Sequence, residues 1–267
     1  MKNIKKLFIT SITILVCYSC STVPLTGRKQ LSLVGDSEVN QSAAQSYSQL
    51  LSDPKTTVIV NGSDAQRVKR VGTQLSAAIE SYLKSNGYGD QYNFKWEFNL
   101  IQSKEVNAWC MPGGKVAVYS GLMPLCPTDA DLATVMGHEI GHAIARHSAE
   151  RISQQMAVQG VGGAVGVAST NQSQVTQGII NQLYGVGGQL LLLSYSRKQE
   201  SEADRLGLTF MAIAGYDPHG AIIFWQRMSA QNKGGAPPVL LSTHPADATR
   251  IADIQNEIPE AMKYYKH

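Results

Sequence analysis

Charge is scarce in this 267-residue sequence and nearly balanced: 16% of its residues are charged, and 23 bases face 20 acids. That leaves little with which to hold a nucleic acid or an anionic membrane surface, so neither is expected as a partner. Cysteine is scarce too, with four in the whole chain. No apolar run is long enough to span a bilayer as a permanent helix; Leu7 to Val16 is broken by Thr10, Ser11 and Thr13. Internal repeats are absent. What is abundant is apolar residues, 43% of the total, enough for a sizeable core and too many for wholesale disorder. The length suits one medium-sized domain.

Lys2, Lys5 and Lys6 precede the apolar run, and small polar residues lead from it to Cys20. That is the order of a secretory signal peptide. Ser19-Cys20 resembles the lipobox of bacterial lipoproteins, in which the cysteine is acylated and becomes the mature N-terminus. Ordinary cleavage to a soluble product is the alternative. The expected division is a lipoprotein signal peptide over 1–19, a lipid-anchored tether over 20–39 with the lipid on Cys20, and one folded domain over 40–267. Loss of three lysines leaves the mature chain close to neutral. Cys110 and Cys126 then remain, either joined as one disulfide or standing as two buried thiols.

Hydrophobic spacing outlines the domain. Val68, Val71, Leu75 and Ile79 predict a helix over about 64–84. Phe94, Trp96, Phe98 and Leu100 alternate with polar residues, as a half-buried strand does. Residues 107–111 and 115–119 read as two more strands across Pro112-Gly113-Gly114. Thr128 and Asp131 resemble a capping box opening a strongly apolar helix. Further helices are expected from about Gln177, over 197–214 with Gly215 as the stop, from Asp217-Pro218 to Ala230, and after Pro245, with a loop over 231–243. The order of elements predicts an α+β fold, a small sheet packed on a mainly helical body.

His138-Glu139-Ile140-Gly141-His142 carries the chemistry. Helical residues four apart leave the same face, so two imidazoles can reach one Zn2+, with Glu139 beside them free to meet a water. A pair of packed helical histidines is the plain alternative. A catalytic zinc takes a third protein ligand. Ser148 occupies the place where a third histidine would fall, and His147, one residue short, points off the ligand face as a surface or supporting residue. Glu200 and Asp204, again four apart, can supply a ligand and a carboxylate that holds a ligand's outer N–H. Without the histidines, both would read as acids favoured at a helix start.

These two motifs together resemble the Ste-type zinc endopeptidases, which share a zincin-like metalloprotease fold. Asn107 to Gly114 is similar to that family's strand beside the active site, Thr243-His244-Pro245 with Arg250 to its C-terminal segment, and Val23 to Arg28 to the lead-in that follows the anchor in its bacterial lipoproteins. The likeness covers nearly the whole mature chain, 20–267, and is nearest the family's soluble LoiP and Oma-type branch.

The resemblance implies one Zn2+ per chain held by His138, His142 and Glu200, with Glu139 catalytic and Asp204 supporting a ligand. His244 is then a fourth, inhibitory ligand or a transition-state contact, with a helix cap as the alternative. Arg250 is expected to help hold an oxyanion, whereas His219 and His267 gain no support. Asn107, Ala108 and Trp109 are expected to receive an extended substrate by strand addition, and a Cys110–Cys126 bond would tie that strand to the metal helix. The implied activity is cleavage of unfolded or misassembled envelope proteins, at the periplasmic face of the outer membrane and attached through lipid only, possible partners including envelope assembly machinery. A chaperone with a largely closed zinc site is the rival.

Overall fold

The computed structural model describes residues 20–23, 25–158, 169–184, 195–231 and 237–266. The expected signal peptide over 1–19 lies outside them, as does the glycine-rich stretch 159–168. Strands β1 (Cys20–Thr22) and β2 (Lys29–Leu31) pair antiparallel, so the expected tether opens as a hairpin before α1 (Asp36–Ser52). A second sheet holds β3 (Val58–Ile59), β4 (Glu97–Ile101), β5 (Ala108–Met111) and β6 (Lys115–Tyr119) in the order β3-β4-β6-β5. Strands β4 and β6 run parallel, and the other pairs antiparallel. Between β3 and β4 runs α2 (Ser63–Ser85), which buries Val68, Val71, Leu75 and Ile79 as their spacing predicts.

The aromatic alternation enters the ladder later than expected, at Glu97. Before it, the rings of Tyr92, Phe94, Trp96 and Phe98 stack in sequence, with centroids 5.3, 4.4 and 6.0 Å apart. Stacking orders this approach together with two backbone bonds, Lys95 N–H to the Gly113 carbonyl at 2.9 Å and Glu97 N–H to that of Gly114 at 3.0 Å.

The centre of the molecule is α3 (Asp129–Ile144), buried continuously from Asp131 to Ile144. Its start is the predicted capping box: the Asp131 N–H donates to Thr128 Oγ1 at 3.1 Å, and the Thr128 N–H to Asp131 Oδ2 at 2.9 Å. Such caps contribute about 0.5–2 kcal/mol each. Against α3 pack α2, α4 (His147–Val158), α6 (Arg197–Ile213) and α7 (Gly220–Ala230), with β5 on the sheet side; α5 (Ser169–Leu183) packs on α1, α8 (Val239–Thr243) is a single short helix, and α9 (Ala248–Ala261) packs on α6 and α7. Gly215, at φ 83°, stops the helix before it as expected. Several boundaries differ, among them the start of α5 at Ser169 where about Gln177 is expected. Helix α7 begins at Gly220 and not at Pro218, because Asp217 Oδ1 accepts the His219 N–H at 2.9 Å and holds 217–219 in a turn. Part of the expected loop over 231–243 is α8.

What brings the two sequence motifs together is the close approach of α3 and α6. A β-carbon at Gly141 would lie 2.7 Å from the Ala203 carbonyl oxygen, and one at Gly207 would lie 2.9 Å from the His138 nitrogen. Glycine at these positions lets the backbones touch, which sets the histidines of α3 against the acids of α6. The result is a mainly helical α+β domain with its small sheet beside the metal-binding helix. Among the described residues, no helix is long and apolar enough to cross a membrane.

Of the two alternatives for Cys110 and Cys126, the structure has the second: both are buried free thiols. The Cys110 carbonyl accepts from the Tyr184 hydroxyl at 3.3 Å and the Cys126 carbonyl from Arg67 Nη2 at 2.8 Å. Burial raises both thiols' pKa and leaves them unreactive.

Candidate metal centre

Four side chains from three places in the chain converge at the middle of α3. His138 and His142 leave one face of that helix, with their Nε2 atoms 3.0 Å apart. Glu200, in the first turn of α6, brings Oε1 to 3.4 Å from His142 Nε2 and Oε2 to 3.5 Å from His138 Nε2. His244, just after α8, places Nδ1 at 3.1 Å from His138 Nε2 and 2.9 Å from Glu200 Oε1. All four are buried, and their donor atoms lie within 4.8 Å of one another. A tetrahedral centre with arms of about 2.0–2.1 Å has edges of about 3.3–3.4 Å, close to this spread.

Two buried oxygens in the cluster lack a hydrogen bond, Glu200 Oε2 and Glu139 Oε1. Buried carboxylate oxygens without a hydrogen bond are costly; Glu200 Oε2 has the Arg250 cation 3.1 Å away, and a metal ion between His138, His142 and Glu200 would add a direct partner. The donor set of imidazole nitrogens and carboxylate oxygen therefore fits a metal ion of the zinc type. Glu139 stands beside the cluster, its Oε1 3.5 Å from His244 Nε2.

Electrostatics divides the roles. Burial holds His142 well below the usual histidine range, which keeps an imidazole lone pair available. Burial also pushes His138 down, but the Asp204 carboxylate outweighs it and lifts the ring to about 9. For Glu200 burial works upward and His244, His138 and His142 work downward; the histidines win, and the carboxyl lies well below its ordinary value. Glu139 is raised by burial, as suits a group that must accept a proton and give it back.

A second ring of side chains orients the first. Asp204 Oδ1 lies 2.8 Å from His138 Nδ1, behind the nitrogen that faces the cluster. Arg250 grips Asp204 through Nε and Nη2, both at 2.8 Å, while Nη1 sits 3.1 Å from Glu200 Oε2 and 3.2 Å from the Pro245 carbonyl. Its guanidinium also lies 3.7 Å over the Trp225 ring, on α7. Every nitrogen of Arg250 is thus engaged with the ligand shell, an arrangement for positioning Glu200 and Asp204. Tyr195 stacks on His142 at 4.0 Å between centroids.

His147 takes the supporting one of its two expected roles, but by a route that helix spacing does not give. In an unbroken helix it would point about 140° away from His142. Instead α3 ends, Arg146 takes a left-handed φ of 57°, and α4 starts afresh at His147. The buried ring turns back, and its Nδ1 lies 2.8 Å from His142 Nδ1. Its other nitrogen meets Glu202 Oε2 at 2.9 Å. Sequence reasoning passed over Glu202, which points opposite to Glu200 and Asp204 on α6; three acids within five residues were the available sign. His219 stands apart, paired with Asp217.

Asn107, Ala108 and Trp109 line a cleft with Glu139, Arg151, Tyr184, Tyr195 and His244. Strand β5 is the end strand of its sheet, but its residues are all buried. The open edge expected there is covered: the Tyr184 hydroxyl donates to the Cys110 carbonyl at 3.3 Å.

Comparison with known proteins agrees with this geometry. The family model for peptidase family M48 matches residues 66–258. The mitochondrial metalloendopeptidase OMA1 of Schizosaccharomyces pombe is 31% identical over 241 residues, which are 90% of this chain and 67% of that protein. OMA1 of Saccharomyces cerevisiae is 33% identical over 179 residues, 64% of this chain and 50% of its own. The β-barrel assembly-enhancing protease of Escherichia coli is 30% identical over 189 residues, 67% of this chain and 38% of its own. The chain thus spans two thirds of the first relative's length and half or less of the other two. By the extent of these matches the chain belongs to peptidase family M48 and is a metalloendopeptidase.

Proposed function

We propose that the protein is a zinc-dependent endopeptidase of a bacterial cell envelope that cleaves unfolded or misassembled proteins. The observation that carries this reading is the pairing of a buried four-donor cluster with a free carboxylate oxygen on Glu139 beside it. His138, His142 and Glu200 hold one zinc ion per chain. Bound there, zinc supplies Lewis acidity, making water more acidic and a peptide carbonyl more electrophilic. Glu139 takes the proton from the attacking water and delivers it to the departing amine. Asp204 fixes the ring of His138, and Arg250 holds Asp204 and Glu200 in register. His244, seated within the ligand cluster, closes the resting site, a transition-state contact being the alternative.

The substrate is an extended chain laid along Asn107, Ala108 and Trp109. Main-chain pairing favours mobile segments over any one side-chain sequence. The segment 1–19 acts as a signal peptide and Cys20 as the lipid attachment, which places the domain 40–267 on the periplasmic side, at the outer membrane, in the LoiP-type branch. Attachment is through lipid alone, and nucleic acid has no part in it. The likeness to the β-barrel assembly-enhancing protease of Escherichia coli supports a role near envelope assembly machinery. A second reading, a chaperone whose zinc site stays largely closed, is favoured by one observation, the seat of His244 within the ligand cluster.

The test is casein cleavage by the zinc-loaded protein, wild type against Glu139→Gln. The variant is expected to keep its zinc and its Tm while cleavage falls by about 10²–10⁴-fold. Equal cleavage by both would remove Glu139 from the mechanism, and silence from both would favour the chaperone.

A further inference from the structure

The N-terminal lead-in is not a passive spacer. Thr26 and Arg28, in the link between β1 and β2, reach across the molecule to α6. Thr26 Oγ1 donates to Glu202 Oε1, and Arg28 Nε donates to Glu202 Oε2. The far end of the same guanidinium meets Glu150 of α4, with Nη2 at 2.9 Å from Oε2 and Nη1 at 3.1 Å from Oε1. Glu150 in turn accepts from Gln199 Nε2 at 2.8 Å, and Gln199 closes the capping box of α6 one residue before Glu200. One cation thus stands between two buried carboxylates on the two helices that flank the metal cluster.

From Glu202 the bonds run inward. Glu202 Oε2 lies 2.9 Å from His147 Nε2, and His147 Nδ1 lies 2.8 Å from His142 Nδ1. The directions follow from the inner end. His142 turns Nε2 to the cluster, so its proton rests on Nδ1 and is donated to His147 Nδ1. His147 must then carry its own proton on Nε2, aimed at Glu202. Each link has one donor and one acceptor, and the row ends on a carboxylate fixed by Thr26 and Arg28.

We propose that Arg28 is a positioning residue of the metal centre: by seating Glu202 behind His147 it fixes the ring and tautomer of His142. The proposal rests on the reading of His138, His142 and Glu200 as metal ligands. It makes the lead-in part of the site, so a chain whose lead-in is pulled off the body holds its metal less tightly. Outer partners of a ligating histidine typically set metal affinity by about 10–100-fold. Lysine at position 28 keeps the charge but loses the fork that meets both carboxylates.

The experiment is zinc affinity by competition with a chromogenic chelator on the full chain, with the Tm of the metal-free protein recorded for each variant. Arg28→Ala is expected to weaken zinc binding by about 10–100-fold, with Arg28→Lys in between. Lys29→Ala removes another bond of the lead-in hairpin, the exposed one from Lys29 Nζ to Thr22 Oγ1 at 2.6 Å, without touching the row. It is expected to leave zinc affinity within about twofold, since exposed pairs contribute little. In a His147→Phe background, Arg28→Ala is expected to cost no further affinity, because the two act through one path. Unchanged affinity in Arg28→Ala overturns the proposal, and so does the same loss in both backgrounds, which would mark a general effect on stability. Should Arg28→Ala fail to fold, Arg28→Lys and Thr26→Val carry the same cycle. Failure of the wild type to bind zinc overturns the metal-site reading itself, a result distinct from the others.

Discussion

Gly141 rests on the backbone of Ala203, so closely that a β-carbon there would stand 2.7 Å from the Ala203 carbonyl oxygen. The neighbour is main chain and cannot swing aside as a side chain would. Gly141→Ala is therefore expected to push α6 off α3, at a cost of about 1–3 kcal/mol as an overpacked core change. Because Glu200 and Asp204 ride on α6, zinc stoichiometry should fall together with Tm. A variant that loses stability but keeps full zinc at micromolar concentration would show that the helices adjust without moving the ligands.

His244 lies at 2.9 Å from Glu200 and 3.1 Å from His138, inside the cluster that a substrate carbonyl must approach. If it closes the resting site, His244→Ala should cleave casein faster than the wild type while binding zinc more weakly. A variant that is slower, with zinc unchanged, would instead give His244 a transition-state role.

Tyr184 occupies the Cys110 carbonyl on the side of β5 where a substrate strand would add. Tyr184→Phe frees that acceptor and keeps the ring, which also packs on Trp109. A single neutral hydrogen bond contributes about 0.5–1.5 kcal/mol, so KM for an unfolded substrate should drop by about two- to tenfold with kcat nearly constant. A KM that does not move would place the substrate elsewhere in the cleft.

The parts of the site legible in the sequence were those with local signatures. The spacing of His138 and His142 and that of Glu200 and Asp204 is helical geometry, and the Thr128 capping box and the Gly215 stop follow from side-chain reach and φ. What stayed hidden depended on a break or on distant packing. His147 looked misdirected because an unbroken helix was assumed, and the left-handed turn at Arg146 is held by Asp36 and the Gln91 carbonyl from far along the chain. Arg28 had no sequence neighbour to announce its pairing with Glu150 and Glu202. Cys110 and Cys126 allowed a bond or two buried thiols by number alone, and only the folded chain shows them as two buried thiols.

Glu202 also sets a pH limit on the folded state. Burial works to raise its carboxyl, but His147, Thr26 and Arg28 together hold it at about 2, against an ordinary value of 4.5. A group depressed on folding contributes stability above its unfolded pKa and loses it as pH falls toward the folded one. The difference amounts to about 3 kcal/mol at neutral pH, and less in practice because Arg28 is partly open to solvent and screened. Stability should thus be flat above about pH 5 in this respect and fall between 4.5 and 2. Glu202→Gln, which cannot titrate, should unfold more easily than wild type at pH 7, and the gap in Tm should narrow as pH approaches 3. A gap that stays constant over that range would mean that the carboxylate's charge is not what holds the lead-in to α6.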